Sequence, residues 1–241
     1  MPLSTQPVPS RERLIVALDL PTHRQAKELV ESLGEEVSFY KIGLELFMAG
    51  DYFTLIDWLE RRGKKVFADL KFYDIPATVE RAVRALSRTS VQLTTVHGDP
   101  AIMEAAARGK GEMLKILAVT VLTSLNESAL KRMGYTGDLN ALVLDRALLA
   151  KQAGLDGVIA SGREAASIRQ AVGDDFLIVT PGIRPTLNRI DDQARVVTPQ
   201  QAFADGADYI VVGRPIRDAQ DPKTAARAIQ EQIAGLFHPK E

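Results

Sequence analysis

Eight short apolar runs recur along the chain, with amphipathic stretches of helical spacing following them, and this alternation constrains the fold more than any other feature. The runs lie at 13–19, 39–43, from Val66 onward, 91–97, 114–122, 157–161, 176–180 and 209–212. Between them apolar residues return every three or four positions, as Phe53, Ile56 and Leu59 do before Gly63. Hairpin signals are missing, and strands alternating with helices imply parallel pairing. Eight such units predict a single-domain (β/α)8 TIM barrel over 13–241, and 241 residues is close to the about 250 typical of that fold. An open, doubly wound sheet is the runner-up. It is weakened because no GxGxxG follows the first run.

Local signals mark the joints. Pro21 and Thr22 open a helix to about Leu33, with Thr22 as cap and Gly34 beyond the end. Pro76 suits the first turn of another. Ala153-Gly154-Leu155-Asp156 and Asp205-Gly206-Ala207-Asp208 read as one helix-to-strand turn used twice, because glycine accepts the left-handed conformation past a helix end. A polar segment spans 123–138, and a polar loop runs from 181 to about 197. Residues 1–12, polar and carrying Pro2, Pro7 and Pro9, read as a flexible tail without the apolar centre of a signal peptide. Phe39, Phe47, Phe53 and Phe67 read as core.

The net charge of −1 offers no broad basic field, so nucleic acid is not an expected partner, and any phosphate recognition has to be local. No run is long enough to span a membrane. The chain has no cysteine, which excludes disulfides, thiolate metal sites and thiol catalysis and fits a cytoplasmic setting. No HExxH or paired-histidine pattern suggests a metal site. His97, at the end of the fourth run, reads as a satisfied core histidine.

The charged residues concentrate where a barrel keeps its chemistry, at the C-terminal strand ends. Asp19 ends the first strand and Lys41 lies late in the second. The third carries Asp69 and Lys71, with Asp74 following. By strand alternation Phe67, Asp69 and Lys71 share one face, and Ala68 and Leu70 the other. Packing does not require this pattern, since buried charges are costly unless paired. Thr123 lies just past strand five. Arg184 follows strand seven, and Gly213 and Arg214 follow strand eight, the usual phosphate site of the fold. Gly213 lets backbone amides approach an anion, and the arginines give charge-assisted contacts.

These pieces, in order, resemble the orotidine 5′-monophosphate decarboxylase family of the bacterial type. They are Ala17-Leu18-Asp19, Lys41-Ile42-Gly43, Asp69-Leu70-Lys71-Phe72-Tyr73-Asp74-Ile75-Pro76-Ala77-Thr78, Val119-Thr120-Val121-Leu122-Thr123-Ser124, Thr180-Pro181-Gly182-Ile183-Arg184, Asp192-Gln193 and Val212-Gly213-Arg214. The resemblance implies a cofactor-free lyase of de novo pyrimidine biosynthesis, acting on a small nucleotide. It also implies a homodimer with active sites at the interface. Lys71 would then protonate C6 of the pyrimidine, with Asp69 beside the departing carboxylate. Asp74, Ile75 and Thr78 would come from the other subunit. Asp19 and Lys41 would hold the ribose, and Thr123 would lie near the base. Gln193 would link base and phosphate, and Arg184, Gly213 and Arg214 would bind the phosphate. No metal is implied.

Two alternatives share the barrel. Metal-dependent sugar-phosphate relatives with the same D-x-K-x-x-D core place a carboxylate near the end of strand two. Lys41 stands there in this chain, and an ammonium has only donors. A non-catalytic phosphate-binding barrel could use the same arginines but has no need of Asp69 beside Lys71.

Overall fold

The computed structural model describes residues 3–185 and 196–237. Its eight strands are β1 Leu14–Ala17, β2 Phe39–Gly43, β3 Lys65–Phe72, β4 Leu93–His97, β5 Lys115–Val119, β6 Gly157–Ile159, β7 Leu177–Thr180 and β8 Tyr209–Val212. They pair in parallel, in sequence order, and β8 closes onto β1. The helices among the described residues are α1 His23–Leu33, α2 Leu44–Met48, α3 Tyr52–Glu60, α4 Pro76–Leu86, α5 Pro100–Gly109, α6 Glu127–Arg132, α7 Leu139–Gln152, α8 Ala165–Val172, α9 Pro199–Ala204, α10 Arg214–Arg217 and α11 Pro222–Phe237. None is long and apolar enough to cross a membrane.

Strand alternation divides the core in two. Ile15, Phe39, Phe67, Leu93, Leu117, Leu177, Val179, Tyr209 and Val211 fill the barrel interior, where Phe39 meets Tyr209 edge to face at 5.9 Å. Leu14, Val16, Tyr40, Val66, Ala68, Val158, Ile178 and Ile210 point outward and pack under the helices. Both layers are apolar, so each strand reads as a continuous hydrophobic run.

The helix signals operate as expected. Thr22 accepts from Gln25 N, and Pro76 occupies the first turn of α4. Gly154 and Gly206 both carry positive φ, 82° and 95°, at the repeated turn before β6 and β8. Each turn is closed by the aspartate that follows: Asp156 accepts from Ile116 N and Asp208 from Ile178 N, both at 2.7 Å.

Helix α6 lies within the polar segment at 123–138, capped by Asn126. The N-terminal segment makes contacts from residue 3 onward. Ser4 donates to Asp208 and Gln6 to the Asp174 carbonyl, while Val8 packs against the barrel interior and Leu3 against the outer layer. Phe47 and Phe53 are exposed, at 43% and 54%, unlike Phe39 and Phe67. With Leu44, Met48, Tyr73 and Ile75 they are apolar residues left in solvent on α2, α3 and the β3–α4 connection.

Candidate active site

The first three strands end in an alternating chain of charge. Lys41 Nζ donates to Asp19 Oδ1 at 2.8 Å and lies 3.4 Å from Asp69 Oδ2. Lys71 Nζ donates to Asp69 Oδ1 at 2.8 Å. The middle of the chain is dry, with the side chains of Lys41 and Asp69 only 11% and 12% exposed, whereas Lys71 is 33% exposed. Burial would push the Asp69 carboxyl up. The ammonium groups of Lys41 and Lys71, with hydrogen bonds from Lys71 and Thr95, hold it below the ordinary carboxylate value. Burial would likewise lower Lys41, but Asp69 and Asp19 on either side raise it. Each buried charge is thus kept by opposite neighbours.

The backbone at Lys71 departs from a regular strand. The β3–β4 register slips between Ala68 and Phe72, and Lys71 has φ +48°. A left-handed lysine is costly and marks a site held by its surroundings. Lys71 N–H leaves the strand ladder and donates to Thr95 Oγ1 at 2.9 Å.

These charges border a cavity of about 600 Å³ at the C-terminal mouth of the barrel. Asp19, Lys41, Asp69 and Lys71 line one side, and Arg184, Gly213 and Arg214 come from the loops after β7 and β8. Thr123 and Ser124 enter from beyond β5, and Phe67, Val119, Ile159 and Val211 form an apolar floor. An added Cβ at Gly213 would lie 3.6 Å from Ala17 Cβ and 3.9 Å from Asp19 Oδ2, which places this glycine beside the Asp19 end of the charged chain. The volume and the mix of charged, polar and apolar lining suit a small polar ligand.

Eight of the expected residues therefore meet in one cavity: Asp19, Lys41, Asp69, Lys71, Thr123, Arg184, Gly213 and Arg214. Asp74, Ile75 and Thr78 do not join them. Asp74 and Thr78 line an adjoining depression with Lys71, Phe47 and Tyr73. The Asp74 carboxylate accepts from Ile75 N at 2.6 Å, and Ile75 is 66% exposed. Gln193 lies outside the described residues.

Sequence reading missed Thr95, which donates to Asp69 Oδ1 at 2.9 Å, and Arg217, which lines the cavity and donates to the Asp19 carbonyl at 2.6 Å. It also mistook His97. That ring is half-buried and stacks on exposed Tyr73 with centroids 4.5 Å apart. Burial lowers its pKa, Arg146 adds to the effect, and Asp99 opposes it.

Known proteins resemble this chain over nearly its whole length. A family model described as "Orotidine 5'-phosphate decarboxylase / HUMPS family" matches residues 12–229. The orotidine 5′-phosphate decarboxylase of Methylococcus capsulatus is 59% identical over 236 residues, covering 98% of this chain and 97% of the relative. That of Stenotrophomonas maltophilia is 54% identical over 238 residues, covering 98% and 99%. The crystal structure of the Lactobacillus acidophilus enzyme of the same name superposes with a TM-score of 0.82 at 37% identity, covering 92% of this chain and 99% of that one. With a closed eight-stranded barrel, charges at its C-terminal mouth and near full-length similarity, this chain belongs to the orotidine 5′-phosphate decarboxylase / HUMPS family.

Proposed function

We propose that this protein decarboxylates orotidine 5′-monophosphate to uridine 5′-monophosphate and CO2, without metal or cofactor. The observation that carries the reading is the alternating Asp19–Lys41–Asp69–Lys71 chain, which shares one cavity with Arg184, Gly213 and Arg214. One end of that cavity suits a phosphate, and the other presents an ammonium at a buried carboxylate.

The chemistry follows from these groups. Arg184 and Arg214 hold the phosphate by charge-assisted bonds, and the Gly213 amide approaches it closely. Asp19 and Lys41 engage ribose hydroxyls, Thr123 lies by the base, and Gln193 spans base and phosphate. Asp69 then stands beside the carboxylate on C6, and like charges in a dry site raise the ground state. As the bond from C6 to the carboxylate breaks, CO2 departs and the electron pair stays on C6. Lys71 stabilises that charge and transfers its proton to C6, then regains one from water. Binding energy from the remote phosphate offsets the repulsion.

Lys41 also argues against a divalent cation here. Its ammonium already sits between Asp19 and Asp69, the place a metal would take. A Schiff-base aldolase needs a lysine held away from carboxylates, whereas Lys71 Nζ lies 2.8 Å from Asp69 Oδ1.

The site is completed by a second copy. Asp74 and Thr78 line one depression with Leu44, Phe47 and Tyr73, Ile75 beside them is exposed, and a two-fold pairing there would offer each Asp74 to the partner's Lys71. With this activity the protein acts in de novo pyrimidine biosynthesis, in the cytoplasm. An absorbance assay with orotidine 5′-monophosphate tests it, with and without EDTA. Equal turnover in both supports the reading. No turnover would refute the activity, and loss on chelation restored by Mg2+ would refute metal independence.

A further inference from the structure

The β3–β4 irregularity has an unusual filling. Ala68 pairs with Thr94 and Phe72 with Val96. Three residues, Asp69, Leu70 and Lys71, therefore stand opposite Thr95 alone. Extra residues in one strand leave ladder groups unpaired, and here the Thr95 side chain takes their place. Its hydroxyl accepts from Lys71 N–H at 2.9 Å and donates to Asp69 Oδ1 at 2.9 Å. A hydroxyl has one proton. Once the Lys71 amide occupies a lone pair, that proton is directed at Asp69. Thr95 is fully buried, so water does not stand in for it. Its neighbour Thr94 shows the ordinary alternative, donating to the Ala68 carbonyl at 2.9 Å.

We propose that Thr95 is a positioning residue for the decarboxylation: one hydroxyl ties the strained backbone of Lys71 to the carboxylate of Asp69, fixing ammonium and carboxylate against each other. The inference rests on the activity proposed above and adds a residue to it. β-Branching suits the role, because it restricts the rotamers of Thr95. The groups facing Asp69 are Lys41 from β2, Lys71 from its own strand and Thr95 from β4, with Asp19 of β1 beyond Lys41. The Tyr52 hydroxyl of α3 donates to the Ile42 carbonyl at 3.0 Å, and its own pKa is raised by burial and then by the charge of Asp69. Of these, only Thr95 is a neutral donor to the carboxylate.

Thr95→Val keeps shape and branching and removes the hydroxyl. A hydrogen bond to a charged group translates into a fall in kcat of about 10- to 100-fold. Affinity for uridine 5′-monophosphate, held by the phosphate and ribose contacts, should stay within about threefold. The Asp69 carboxyl should titrate at higher pH than in the wild type, followed by carbon-detected NMR. Thr95→Ser, which keeps the hydroxyl, should recover most of kcat. If the valine variant does not fold, Thr95→Ala carries the same comparison. Two results overturn the proposal: a valine variant keeping more than about half of kcat, or parallel loss of kcat and product affinity with Asp69 titrating as before. Should the wild type itself show no turnover, the activity has failed and the Asp69 titration alone decides the role of Thr95.

Discussion

Lys71 and Asp69 lie two residues apart on one strand, and their charged atoms meet at 2.8 Å with Lys71 in a left-handed backbone conformation. The β3–β4 irregularity and Thr95 of β4 bear on both residues at once. In the proposed reaction the proton transfer belongs to this pair.

Lys71→Ala should therefore nearly abolish turnover while leaving nucleotide binding in place. The arginines and Asp19 come from other strands, so binding of uridine 5′-monophosphate should change by less than about tenfold. Calorimetric titration beside a rate measurement checks this. A variant with about a tenth or more of wild-type kcat would remove Lys71 from the proton step.

The charge array should be insensitive to pH across the neutral range. Asp69 is held below its ordinary value by Lys41 and Lys71, so its contribution to stability is complete above the ordinary carboxylate range and is lost as pH falls through the folded value. Lys41 is raised by Asp69 and Asp19, so its contribution is present below the ordinary lysine value and is lost as pH rises through the folded one. At saturating nucleotide, kcat should be flat from about pH 5 to about pH 9. A limb in kcat near neutrality would assign the chemistry to some other group.

Much of this was legible in the sequence. Strand count, strand order, the Thr22 cap and the paired turns at Gly154 and Gly206 follow from local rules. The mouth of the barrel collected the charges that chain order put at strand ends. Other features were not legible, for physical reasons. Helix α6 buries only Leu130, so it leaves no apolar stripe to read. Phe47 and Phe53 look like core because an apolar contact surface uses the same chemistry as an interior. The bulge is invisible in an alternation that counts residues but not registers. Thr95 resembles Thr94 next to it, and only three-dimensional partners separate a satisfied core hydroxyl from one aimed at a catalytic carboxylate.

At the opposite end of the barrel, Arg169 should be a strong point of stability. Its guanidinium donates to Asp208 Oδ2, to the Gly173 and Phe176 carbonyls at 2.7 Å, and to Gly206 O at 2.9 Å. Asp208 is fully buried, and burial pushes its pKa up against the pull of Arg169. Arg169→Met leaves that carboxylate without its cation and several carbonyls unpaired, at a cost of about 3–5 kcal/mol. Urea unfolding at fixed protein concentration measures it. A loss below about 1 kcal/mol would mean that the N-terminal segment, through Ser4, suffices for Asp208.

The composite site is tested most directly by mixing two inactive variants. If Asp74 serves the partner's Lys71, a homodimer of Lys71→Ala or of Asp74→Ala has two damaged sites, whereas a heterodimer gathers both lesions in one site and leaves the other whole. Unfolding and refolding the two together in equal amounts pairs chains at random, so about half the dimers are mixed and activity should return to about a quarter of wild type per subunit. A heterodimer confirmed by mass with no recovered activity would show that Asp74 works within its own chain, and would contradict the shared site.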